Sequence, residues 1–129
     1  MLPITMIFAS LFALMFVGLS IAVIRKRRAL KIATGTGGSN EMEYAMRAHG
    51  NFAEYVPLAL ILLAGAELNN APVWTIITIG TLLLIGRLLH AYGFLKSAKE
   101  THFKFRVSGM AVTFTSLILL ALVNLFWAF

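Results

Sequence analysis

The chain has 129 residues, 60% of them hydrophobic and only 12% charged, with a mean hydropathy of +0.87. That balance excludes an ordinary soluble domain and leaves room for one bundle of a few membrane-spanning helices. The net charge of +6 sits beside apolar runs, which reads as a topology signal rather than a nucleic-acid surface, and the lack of cysteine excludes a disulfide framework, a thiolate metal site and a cysteine nucleophile.

The first apolar run, about 4–24, is long enough to span a bilayer. No basic residue precedes it and no small-x-small cleavage site ends it, so it is expected to be a retained helix and not a secretory signal. Arg25-Lys26-Arg27-Arg28 closes it at the cytoplasmic face, where these side chains suit topology and lipid-headgroup contacts. Residues 29–40 then read as a flexible connector. Its glycines do not make a phosphate loop, because no strand precedes them and no Gly-Lys-Ser/Thr follows. Ser39 or Asn40 is expected to cap the second helix, with Glu41 and Glu43 in a first turn whose dipole favours acids.

The second helix is expected from about Glu41 to Ala66, with its span at about 45–66 and a kink at Pro57, whose ring removes one backbone hydrogen bond. Its wholly apolar part, Leu58 to Ala66, falls short of the about 20 residues a span requires. Arg47, Asn51 and Glu54 are therefore drawn to membrane depth. At about 100° per residue, Glu43, Arg47, Asn51 and Glu54 lie within roughly 80° of one another. Ionisable groups at that depth are expensive and face a partner, a cavity or a ligand, which makes this face the candidate functional site. His49 points away from it and is expected to pack or to lie at the surface.

A polar turn from Glu67 to Pro72 leads to a third span, about 73–95, that carries Arg87 and His90 near its far end. Gly80 and Gly86 are spaced to admit a close neighbour without forming a Gly-x-x-x-Gly pair. Residues 96–106 form a second basic segment, and the last span is about 107–128, with Trp127 as an interfacial anchor. Every Lys and Arg other than Arg47 and Arg87 lies in 25–31 or 96–106. By the positive-inside rule both segments are cytoplasmic and both termini lie on the opposite, periplasmic side.

Depth relates the second and third helices. At 1.5 Å per residue, Arg47 lies about 28 Å and Glu54 about 18 Å from Ala66, while Arg87 and His90 lie about 21 Å and about 26 Å from Val73. Both sets occupy the cytoplasmic half, where Glu54 and Arg87 could pair and Arg28 reaches the same level. Interhelical hydrogen bonding accounts for any one of these residues more easily than for two arginines, a carboxylate, an amide and an imidazole together.

The segment Arg47-Ala-His-Gly-Asn51-x-x-Glu54-Tyr55-x-Pro57 resembles the second-helix signature of the MAPEG family, the membrane-associated proteins in eicosanoid and glutathione metabolism. The likeness extends to nearly the whole chain, including Gly86-Arg87-Leu-Leu-His90-Ala-Tyr92 in the third span, and Arg106-Val-Ser-Gly-Met110 looks most like small bacterial members. The resemblance implies an all-α membrane protein, a homotrimer of four-helix protomers in the bacterial inner membrane, with glutathione bound between subunits near the cytoplasmic face. By that resemblance Arg47, Asn51, Glu54 and Tyr55 match positions that contact glutathione, Arg28 matches a basic position tied to binding or catalysis, and His90 falls where relatives carry His or Tyr. Phe94 stands where a tyrosine is common. Gap-free counting puts Thr101 where relatives place the arginine that stabilises the glutathione thiolate, and Arg106 is the nearest substitute.

These readings lead to conjugation of glutathione, or a related thiol, to a lipophilic electrophile arriving from the bilayer, with Arg47, Asn51, Glu54, Tyr55, Arg87 and His90 binding and Arg106 or Arg28 supporting the sulfur anion. A thiolate so formed could also reduce a hydroperoxide. The tripeptide's two carboxylates suit arginine and its ammonium suits Glu54. No metal site is expected. The alternatives are a non-catalytic member that binds glutathione, lipid or a partner, and a small transporter or proton relay using Glu54, Arg87 and His90.

Overall fold

The computed structural model of the protein describes residues 1–96 and 100–127. Four helices follow one another: α1 Pro3–Leu30, α2 Asn40–Leu68, α3 Val73–Leu95 and α4 Glu100–Trp127. All four are long and apolar enough to cross a membrane, and no strand occurs among the described residues.

Local chemistry sets the ends. Pro3 opens α1, where its missing N–H is not needed. At the other end Lys31 takes a left-handed conformation (φ 54°) and its N–H turns back to the carbonyls of Arg27 and Arg28. Ser39 is the cap of α2, its Oγ accepting from the Met42 amide at 3.3 Å, so the choice between Ser39 and Asn40 falls to the serine. Pro57 lies inside an α2 that is assigned as one helix throughout.

Three boundaries differ from the sequence expectation, the first being α2, which takes in Glu67 and Leu68 where a turn is expected. α1 continues through the basic run to Leu30, because Arg and Lys are good helix formers and nothing in 25–30 breaks the ladder. α4 begins at Glu100, so Arg106 sits in its second turn and not at its opening.

Successive helices run in opposite directions. At one end Lys26 of α1 meets Glu41 of α2 at 2.8 Å, and Tyr44 of α2, Phe94 of α3 and Arg106 of α4 stack together. At the other end Glu67 of α2 meets the first turn of α1, and Asn124 of α4 donates to the Leu62 carbonyl of α2. The first of these is thus the basic end of the bundle.

The core is built from Phe12 of α1, Phe52, Val56 and Leu63 of α2, Ile76 and Leu83 of α3, and Leu120 of α4. Glycines decide how near the helices approach. A Cβ on Gly109 would come within 2.5 Å of the His90 backbone nitrogen and 2.7 Å of the Gly86 carbonyl oxygen. α3 and α4 therefore touch backbone to backbone at this level. Gly80 faces α1 instead, where a Cβ would meet the Phe8 ring at 2.5 Å. Gly86 and Gly80 thus do admit close neighbours, on two different helices.

Candidate functional site

α2 separates its two faces cleanly. Ala45, Ala48, Phe52, Val56, Ala59 and Leu63 are buried. Glu43, Arg47, Asn51 and Glu54 lie roughly 140° round the same helix, away from the core. Together with Thr36, Met46 and Gly50 they line a groove of about 280 Å³. The Arg47 side chain is 64% exposed, and its Nε stands 3.9 Å from Glu43 Oε1. Glu54 is exposed and Asn51 half-buried. The expected residues thus share one face, and among the described residues no other helix lines the groove.

Arg87 and His90 belong to a different place. Arg87 is 0% exposed, with its guanidinium carbon 5.7 Å from the centre of the Phe52 ring. Its Nη2 lies 3.2 Å from His90 Nδ1, while Nε and Nη1 have no partner among the described residues. The expected Glu54–Arg87 ion pair is not formed. Among the described residues the ion pairs are Lys26–Glu41 and Arg47–Glu43. The reason is rotational: equal depth placed Glu54 and Arg87 together, but the helical period turns Phe52 toward α3 and Glu54 away from it. Tyr55 falls between the two faces, half-buried, with its ring 5.5 Å from Phe114 of α4.

From His90 a line of side chains continues to the basic end. The His90 ring meets Phe94 edge-on at 5.0 Å, and the Arg106 guanidinium carbon stands 4.0 Å from the Phe94 centroid and 5.7 Å from that of Tyr44. Arg106 Nε is buried and without a partner among the described residues. A cavity of about 530 Å³ opens beside these rings, bordered by Lys26, Asn40, Glu41, Tyr44, Phe94 and Lys96. Arg106 is thus a cation held on aromatic faces, a favourable arrangement for a guanidinium. Arg28 is exposed and borders a shallow hollow with Arg27, Lys31 and Ile32, apart from the Arg106 group. The Thr101 side chain lies outside the described residues.

His49 is where the helical wheel placed it. Its Nε2 stands 3.1 Å from Ser20 Oγ and its ring stacks on Phe16 at 4.6 Å, which joins α1 to α2. Sequence reasoning passed over Tyr44, which shares a wall with Phe94 and reaches Arg106. A signal existed: Tyr44 and Tyr55 are eleven apart, about three turns of the helix, and so lie on one stripe along the Asn51 edge of the ionic face. Arg27 does more than mark topology: its Nη1 donates to the Gly35 carbonyl at 3.1 Å and its Nη2 reaches Met46 Sδ at 3.5 Å, which holds the connector against α2.

Four apolar helices carrying this ionic face on the second are matched by a known family profile. The profile of the MAPEG family covers residues 5–126. The chain belongs to the MAPEG family. This MAPEG protein is 40% identical over 121 residues to a protein named inner membrane protein YecN in Escherichia coli strain K12, a match that covers 94% of the present chain and 89% of the relative. The protein of the same name in Escherichia coli O6:H1 strain CFT073 matches equally, at 40% over 121 residues. The MAPEG protein described here is accordingly an integral membrane protein with four spanning helices.

Proposed function

We propose that this MAPEG protein binds glutathione, or a related low-molecular-weight thiol, and joins it through its sulfur to a lipophilic electrophile that enters from the bilayer, as a homotrimer in a bacterial inner membrane. The observation that carries this reading is the ionic face of α2: Arg47, Asn51 and Glu54 turned away from the core of the bundle, around a groove of about 280 Å³. A lone protomer would leave these groups against lipid, at a cost of several kcal/mol. A neighbouring subunit closing the groove, with a zwitterionic peptide inside it, removes that cost. Arg47 matches a carboxylate of the tripeptide and Glu54 its ammonium.

Arg106 is the group assigned to the sulfur. A fixed positive charge in a dry site lowers a thiol pKa and raises the thiolate population, which is the nucleophile. The Phe94 and Tyr44 rings hold its guanidinium within 4.0 and 5.7 Å of their centres, which supports a preset position for that charge.

Equilibrium binding of glutathione to the detergent-solubilised protein tests the proposal. Arg47→Ala and Glu54→Ala should each abolish measurable binding, because removing one partner of a buried charge pair costs about 2–5 kcal/mol. His49→Ala, on the Ser20 and Phe16 side, should bind nearly as well as the unmodified protein. Equal loss in all three folded variants would count against the assignment.

A further inference from the structure

Arg87 is buried completely, yet its side chain is not used on the ionic face of α2. Its one hydrogen-bonding partner among the described residues is His90 Nδ1, at 3.2 Å from Nη2. A guanidinium carries five N–H donors and no acceptor. The hydrogen bond therefore has a single sense: Arg87 donates, and His90 Nδ1 offers its lone pair. A neutral imidazole that accepts at Nδ1 carries its hydrogen on Nε2.

Three features hold the pair in this arrangement. The residues are three apart on α3, so the helix itself sets their spacing. Both are buried, at 0% and 4% exposure, so bulk water is kept from competing for Nδ1. Aromatic rings bracket them, Phe52 beside the guanidinium at 5.7 Å and Phe94 against the imidazole at 5.0 Å.

We propose that Arg87 is a positioning residue that locks His90 in the Nε2–H tautomer, so that His90 meets the bound thiol as a hydrogen-bond donor and not as its base. The last step rests on the glutathione reading above; the lock does not. In this state the basic nitrogen of His90 is already occupied. The thiol proton leaves to water, and His90 Nε2–H donates to the sulfur anion that remains. Arg106 supplies charge to that sulfur and His90 supplies direction.

Nitrogen NMR of the detergent-solubilised protein carrying 15N-labelled histidine tests this directly. Of three ring signals, that of His90 is the one lost in His90→Gln. Without glutathione it should show a pyridine-type Nδ1 and a pyrrole-type Nε2. Arg87→Met removes the donor while filling its space, and should release the ring to averaged shifts at both nitrogens. A protonated Nδ1 in the unmodified protein overturns the lock, and so does an unchanged ring in a folded Arg87→Met. If that variant does not fold, the unmodified spectrum alone decides. Saturating glutathione should then shift Nε2. A locked ring whose Nε2 stays still while glutathione binds would sink the donor role and leave both the lock and the glutathione reading in place; a still ring with no glutathione bound would sink the glutathione reading instead.

Discussion

Glu67, near the end of α2, lays its carboxylate across the first turn of α1, with Oε2 2.7 Å from the Thr5 amide nitrogen and Oε1 2.9 Å from that of Ile4. α1 has no side-chain cap of its own, so an acid from another helix satisfies its free N–H groups. It also places a negative charge on the positive end of the helix dipole. Glu67→Ala should lower stability by about 0.5–2 kcal/mol, the range for losing a helix cap. Glu67→Gln keeps one acceptor oxygen and should lose less. Thermal unfolding in detergent checks both, and equal losses would show that the charge, not the acceptor geometry, matters.

Gly109 makes the sharper test of packing. Gly109→Ala would press a methyl group onto the His90 nitrogen, within 2.5 Å, and onto the Gly86 carbonyl at 2.7 Å, so α3 and α4 must separate. Overpacking of this kind costs about 1–3 kcal/mol. Gly18→Ala is the control, since nothing lies within 4 Å of a Cβ there. It should be neutral or slightly stabilising, because alanine is the better helix former by about 0.5–1 kcal/mol. If the two variants unfold alike, the close approach of α3 and α4 is wrong.

Arg106 and Arg28 compete for the sulfur anion. Arg106→Ala should still bind glutathione but lose the thiolate absorbance and the conjugation of a model aryl halide. Arg28→Ala, altered at an exposed position, should keep the thiolate. Retained absorbance in the Arg106 variant would move the role elsewhere. No absorbance in the unmodified protein would favour a binding function without turnover.

The direction of the bundle in the membrane is predicted from charge. The basic end should face the cytoplasm and both termini the periplasm. The chain has no cysteine, so single cysteines can be introduced without background. In intact cells one at Gly37 should resist an impermeant thiol reagent and one at Asn69 should react. The reverse pattern would invert the topology.

The four helices and the polar face of α2 were legible because each rests on one periodic signal. Apolar runs mark the spans, and the 3.6-residue period brings Arg47, Asn51 and Glu54 to one side whatever surrounds them. Pairing between helices was not legible in the same way. Distance along an axis put Glu54 level with Arg87, but rotation about the axis depends on which residues the core takes, and Phe52 took the α3-facing position. The Arg87–His90 contact lies within a single helix, three residues apart, and could have been read from spacing alone. The seat of Arg106 on Phe94 could not, because it needs the crossing of α3 and α4 at Gly93, where a Cβ would meet Arg106 Cγ at 2.6 Å.

The ionic stripe on α2 also bears on how the protein is made. α2 contains the least apolar spanning window of the four helices. As it leaves the ribosome, its charged side opposes partitioning into lipid, and its hydrophobic side alone must drive entry. α1 is synthesised first and is ready to receive it: Phe12 and Phe16 of α1 meet Phe52 of α2 at 6.0 and 5.8 Å. Insertion of α2 is therefore expected to be a joint event with α1, a helical hairpin settling as one unit. A substitution that weakens those aromatic contacts would lower the yield of inserted protein before it touched any activity.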